Sequence, residues 1–138
     1  RDYHIEDTLE VGIILLGSEV KSLRAGGGSI AESYAAERDG GLWLINAHIP
    51  EFKAANRNNH EPTRPRELLL HKKQLAKYLG EVRRGGMTII PLKIYFNVRG
   101  IAKLELALGK GKKNYDKRAD VKTRDWERSQ ARLLRNRG

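Results

Sequence analysis

Apolar alternation stops at Leu108, and nothing after it can build a core. Leu104, Leu106 and Leu108 alternate with Lys103, Glu105 and Ala107, the period of two expected of a half-buried strand. The chain then reads GKGKKNYDKR over residues 109–118. From Lys110 to Gly138 there are eleven Lys or Arg and four Asp or Glu, a net charge of +7. Whatever folds must therefore fold from residues 1–109, which is room for one domain. That body is nearly neutral, with sixteen basic and thirteen acidic residues. Most of the formal charge of +10 sits in the basic arm, and a pI near 10.0 suits a protein that meets a polyanion. In the arm, Arg124, Arg128, Arg132 and Arg135 recur at spacings that make one ridge on a helix. Such a helix buries little, so residues 110–138 are expected to be disordered alone and helical against a partner.

The body reads as mainly β. Strands are expected over 5–16, with a bulge or bend at Gly12, and over 29–37 and 42–49. The last two flank Arg38-Asp39-Gly40-Gly41, a strong hairpin signal. Ser18 is the expected cap of a short helix over 19–23. Residues 50–66, with three prolines and three asparagines, read as a long mobile loop. A clear helix follows, with Leu75, Leu79 and Val82 as its apolar stripe, ended by Gly85-Gly86. A hairpin over 88–96 and 101–108 completes a count of five or six strands. Antiparallel strands in this number commonly close to remove exposed edges. The expected fold is a small closed antiparallel OB-like barrel with one or two short helices and a basic C-terminal tail.

Catalysis finds little support. The histidines are His4, His48, His60 and His71, none at metal-ligand spacing, and they read as structural or surface groups. Asp2, Glu6 and Asp7 read as a solvated strand face rather than an acid–base pair. GKGKK lacks the strand–loop–helix setting and the Ser or Thr of a phosphate loop. There are no cysteines, which excludes disulfides and thiolate metal sites and fits the cytosol. No metal and no cofactor are expected. No window is apolar enough to span a membrane, and no signal peptide is evident. The start at Arg1-Asp2-Tyr3 suggests that native N-terminal residues are missing.

Binding features are stronger. Lys21 and Arg24 share a helix face. Arg64 and Arg66 leave the loop, and His71, Lys72 and Lys73 open the long helix, where a helix N-terminus favours phosphate. Lys103 stands off the last strand. Each is an ordinary solvated charge alone; together they make a face for RNA. Tyr95, Phe96 and Tyr115 lie near basic groups and are candidates to stack on bases, with at least one of Tyr95 and Phe96 expected in the core.

Four stretches, in order, carry a resemblance: EVGIILLGSEVKSLRAG (10–26), EPTRPRELLLHKKQL (61–75), PLKIYF (91–96) and ELALGKGKKNYDKR (105–118). Across essentially its whole length the chain resembles the small protein B (SmpB) family, the tmRNA-binding proteins of bacteria. The resemblance implies a non-enzymatic, cytoplasmic, monomeric protein whose OB-like body binds the tRNA-like domain of tmRNA. It implies entry into the empty A site of a stalled 70S ribosome, with the tail in the 16S rRNA decoding centre and mRNA channel. Translation then switches to the tmRNA reading frame, which adds a degradation tag. It also implies delivery of aminoacylated tmRNA with elongation factor Tu and GTP. The family's RNA-binding positions fall here on Glu10, Leu69 and Lys103, and on His71, where the family often has Asn. Gly111, Asp116, Lys117 and Arg118 match the junction motif that places the tail, with Lys112 and Lys113 beside it. Tyr115 stands where the family carries His or Tyr, able to stack in the decoding centre. Gly109 and Gly111 are expected to form a flexible joint. The alternatives are a generic OB-fold RNA-binding or ribosomal protein and, as an enzyme, a small nuclease or deaminase.

Overall fold

The computed structural model describes residues 3–53 and 59–111. Six strands form one antiparallel sheet: β1 (Tyr3–Ile13), β2 (Tyr34–Arg38), β3 (Gly41–Ile45), β4 (Arg66–Leu69), β5 (Met87–Phe96) and β6 (Ala102–Gly111). Helix α1 (Gly17–Arg24) follows β1, and α2 (Lys72–Arg83) separates β4 from β5. The strand order is β2-β3-β4-β1-β6-β5.

The mainly β reading holds, but the expected closure is not seen. β2 and β5 are the edges of the ladder, and no pairing joins them among the described residues. The sheet curls enough to bring Cα atoms of these two strands within 8 Å. The gap between them is a cleft of about 220 Å³ lined by Ala35, Met87 and Ile89 from the edges and by Leu79 and Val82 from α2. Side chains thus line an open seam that hydrogen bonds would otherwise close. Pro91 lies on edge strand β5, where a missing backbone N–H does no harm.

Local chemistry explains most elements. Asp39 and Gly40 take φ of 53° and 77°, the left-handed pair that a two-residue hairpin needs between β2 and β3. At the β5–β6 turn the Asn97 side-chain oxygen accepts the N–H groups of Arg99 and Ile101. The bulge in β1 lies between Ile5 and Asp7, not at Gly12, which pairs regularly with Lys103 and with Leu69. Helix α1 begins at Gly17, so Ser18 is inside it rather than its cap. The capping interaction comes instead from Glu19, whose Oε1 accepts the Leu16 N–H at 2.7 Å.

The core gathers Val11 and Ile13 from β1, Leu42 and Leu44 from β3, Leu68 from β4 and Leu104, Leu106 and Leu108 from β6. Leu75 and Leu79 of α2 pack on it half-buried, but Val82 is exposed. The deepest α2 residue is Tyr78, whose hydroxyl donates to Asp7 Oδ2 at 3.1 Å. Lys77 reaches the same oxygen at 3.3 Å. Asp7 is therefore a half-exposed tie between β1 and α2 rather than only a solvated strand residue.

Two expectations at the ends of β6 and β4 change. Gly109 and Gly111 are paired strand residues, opposite Ile5 and Tyr3, and not a joint. A Cβ on Gly109 would stand 2.6 Å from Ile90 Cδ1 and 3.2 Å from Tyr3 Cβ. Glycine is there because Tyr3, Ile90 and Ala107 form a second small cluster over that strand. β4 lies in what reads as loop and helix entry. The sequence hides it because its inward residues are Arg66 and Leu68, and an arginine on the core face does not look like a strand.

A candidate RNA-binding face on the outer side of the sheet

Register places the site. On the outer side, Tyr95 of β5 lies beside Lys103 of β6, Lys103 beside Gly12 of β1, and Gly12 beside Leu69 of β4. One row of side chains thus crosses four strands. The next row is Lys93, Glu105 and Glu10. β4 ends at Leu69, and after Leu70 the chain turns into α2 at His71, whose N–H donates to Gln74 Oε1 at 3.0 Å. The result is an open cleft of about 400 Å³ lined by Glu10, Gly12, Leu69, Leu70, His71, Gln74 and Lys103. Four of the residues named from the sequence, Glu10, Leu69, His71 and Lys103, converge here from three separate segments of the chain. Gly12 forms part of the floor. Leu69 is 52% exposed, a large apolar side chain beside cationic and acceptor groups. Such a mixture suits a ligand with both apolar ring faces and polar edges, as an unstacked base has. Lys72, the first residue of α2, is exposed beside His71.

The acidic pair on this face is held by partners. Glu10 and Glu105 are directly opposite, and like charges in that position repel. Lys93 Nζ lies 4.0 Å from Glu105 and 5.4 Å from the centroid of the Tyr95 ring. The Tyr95 hydroxyl donates to Glu10 Oε2. That bond to a carboxylate, with smaller contributions from desolvation and from the charges of Glu10 and Glu105, pushes the Tyr95 phenol up to about 12.

Arg24 lies on the neighbouring edge. Its guanidinium stacks 4.2 Å from the Phe96 ring centroid and donates to the Gly100 carbonyl at 2.9 Å. It pins α1 to the β5–β6 hairpin while remaining exposed. Lys21, one turn earlier on α1, is exposed as well. Phe96 packs against the core and Tyr95 faces outward, so the two aromatics divide as their alternation requires.

Arg64 and Arg66 do not belong to this face. Arg66 is fully buried, and its Nε and Nη2 lie 2.9 and 2.7 Å from Glu19 Oε2. It also donates to the carbonyls of Ala47 at 2.7 Å and Pro62 at 3.1 Å. Arg64 grips Glu19 through Nε at 3.0 Å and Nη2 at 2.7 Å. Burial alone would raise the Glu19 carboxyl, but the bonds from Arg64, the Leu16 N–H and Arg66 bring it down to about 2. Desolvation lowers the Arg66 guanidinium from its ordinary value, opposed by Glu19. These arginines therefore lock α1, β4 and the segment after β3 together. In the same region His60 is buried, with Nδ1 2.7 Å from Ser18 Oγ and Nε2 2.8 Å from the Ile49 carbonyl. The carbonyl accepts only from Nε2–H, and in a neutral imidazole that leaves Nδ1 to accept the serine hydroxyl proton.

Of the tail positions, Gly111 is described and closes β6. Lys112, Lys113, Tyr115, Asp116, Lys117, Arg118, Arg124, Arg128 and Arg132 lie outside the described residues. Among the described residues no three His, Asp or Glu gather as metal ligands, and no helix is long and apolar enough to cross a membrane.

Known proteins place this architecture. The chain is 64% identical over 137 residues to the SsrA-binding protein of Bradyrhizobium sp. (strain BTAi1 / ATCC BAA-1182), covering 99% of this chain and 87% of that protein. It is 64% identical to the SsrA-binding protein of Rhodopseudomonas palustris (strain TIE-1), with the same coverage of each. It is 59% identical to that of Sphingomonas elodea, covering 99% and 86%. A chain of a solved structure described as "tmRNA-SmpB: a journey to the center of the bacterial ribosome" aligns with a TM-score of 0.66 at 49% identity, over 80% of this chain and 77% of that one. The family model described as "SmpB protein" matches residues 1–136, and the chain belongs to the SmpB family.

Proposed function

We propose that this chain binds the tRNA-like domain of tmRNA and brings it to stalled ribosomes for trans-translation. The observation that carries the reading is the convergence of Glu10, Leu69, His71 and Lys103 on one open cleft. The cleft offers acceptors, a cation and an apolar platform on a rigid sheet. These are the groups that read splayed nucleotides by shape and edge rather than by charge alone. The structural match to a tmRNA–SmpB assembly and the relatives' names support the same reading.

Lys21, Arg24 and Lys72 extend the face toward phosphates at its rim. Arg64 and Arg66 act at a distance, by holding α1 and β4 in place. The curled sheet serves as an OB-like body despite its open seam. The tail, from Lys112 onward, occupies the decoding centre and mRNA channel of the 70S ribosome, where its charge offsets phosphate repulsion. Gly111 ends the strand from which the tail departs, and Tyr115, Asp116, Lys117 and Arg118 set its course. Delivery proceeds with elongation factor Tu and GTP through the aminoacylated RNA. The protein acts as a non-enzymatic, cytoplasmic monomer.

The test is competition binding at moderate salt, with labelled tRNA-like domain displaced by itself, by tRNA and by an unrelated hairpin. A strong preference for the tmRNA fragment is expected. Equal displacement by all three would overturn the reading in favour of a generic basic RNA binder.

A further inference from the structure

Glu10 poses a problem for an RNA-binding face. An unheld carboxylate is repelled by phosphate, and its rotamer freedom must be lost when it accepts a bond from RNA. It also stands directly opposite Glu105. We propose that Tyr95 is the positioning residue that solves this: its hydroxyl clamps Glu10 in one orientation on the outer face, so that Glu10 is pre-set to read donor groups of RNA.

Three observations carry this. The Tyr95 hydroxyl donates to Oε2 of Glu10, and no hydrogen bond from the described residues is made to Oε1. The hydroxyl comes from β5, two strands away from Glu10 on β1, so the clamp spans β6 and depends on the register of both ladders. Lys93 lies over the Tyr95 ring and within 4.0 Å of Glu105, so a cation stands beside the ring and beside the carboxylate that faces Glu10. The raised phenol is the corollary: the proton stays on Tyr95, which remains the donor of the pair. One of the two carboxylate oxygens is thus spent on the protein. The other is left for a base N–H or a ribose 2′-OH, the groups that distinguish one RNA shape from another. Phosphate, which has no donor, gains nothing from it.

The inference rests on the tmRNA reading and deepens it. Its test uses the full chain with Tyr95→Phe, Glu10→Gln and the double variant. Tyr95→Phe keeps the ring, so any stacking on a base survives and only the clamp is lost. We expect Tyr95→Phe to weaken binding of the tRNA-like domain about three- to tenfold, the cost of re-ordering one freed side chain. Binding of the unrelated hairpin should not change, nor should the melting temperature by more than a few degrees. Once Tyr95→Phe is present, Glu10→Gln should cost less than it does alone, because the two act as one unit. Wild-type affinity in Tyr95→Phe, an equal loss on every RNA, or strictly additive effects would overturn the clamp. A wild-type protein with no preference for the tRNA-like domain would overturn the tmRNA reading instead, and the role assigned to Tyr95 with it. The clamp has a readout without RNA as well. In protein labelled at the tyrosine ring carbon, Glu10→Gln should move the Tyr95 phenol titration down toward ordinary tyrosine. An unmoved titration would show that the two side chains do not pair.

Discussion

Arg66 illustrates how a residue's type can mislead about its place. In the sequence it is one more cation near a basic helix, yet it is wholly enclosed and bonded to Glu19 and two carbonyls. Removing one partner of a buried pair leaves an uncompensated charge, so Arg66→Met should destabilise the protein by about 3 kcal/mol. Denaturant midpoints would measure this, and a loss below about 1 kcal/mol would contradict the buried arrangement. Glu10 is the opposite case. Glu10→Ala removes a negative charge from a polyanion-binding face yet should weaken tmRNA binding, because its value lies in accepting donors. Unchanged or tighter binding would refute that. At Gly109 the controlling fact is space. Gly109→Val has to displace Ile90 and Tyr3 and should cost about 1–3 kcal/mol by overpacking. A variant of unchanged thermal stability would restore the idea of a loose joint at that position.

The elements are held by polar ties that propensity does not reveal. α1 is eight residues long, too short to persist on its own strength, and Glu19 anchors it to Arg64 and Arg66. A carboxyl held near 2 in the folded chain and near 4.5 when free stabilises the fold fully above about pH 4.5. That contribution, about 3 kcal/mol from the shift, is lost as pH falls toward about 2. Urea midpoints at pH 6, 4 and 3 should therefore fall more steeply in wild type than in Glu19→Gln, which starts less stable. Parallel curves would disprove the assignment. α2 is held differently. Its stripe of Leu75 and Leu79 was legible; Tyr78, its most buried residue, stands at i+3 from Leu75 on the same face, so the spacing that marks the stripe also marks it. Tyr78→Phe keeps the packing and drops the bond to Asp7, for a loss of about 1 kcal/mol. The hairpin β2–β3 was readable from Asp39-Gly40, since only a few residues accept positive φ. β4 was not, since four residues with an inward arginine carry no period.

At the scale of the whole molecule, the nearly neutral body and the basic arm predict separable tasks. Ending the chain before Asp116 should leave affinity for the tRNA-like domain within a few-fold and abolish tagging on stalled ribosomes. A large loss of affinity in filter binding would mean that the arm also holds the tmRNA. The division itself could be read from charge and from the end of apolar alternation, because both are sums over the chain that need no coordinates. The mainly β class, the long helix and the family motifs were legible for the same reason: period, turn residues and contiguous motifs are local. The site was legible only as separate names. Glu10, Leu69, His71 and Lys103 are scattered over ninety-four positions of sequence, and strand register together with the turn into α2 brings them to one cleft. The removal of Arg64 and Arg66 from that face, the open seam between β2 and β5 and the clamp of Tyr95 on Glu10 were also decided in three dimensions. The physical reason is common to all of them. Charge and periodicity are properties of a chain, but burial, pairing and register depend on which distant segment lies alongside, and only packing settles that.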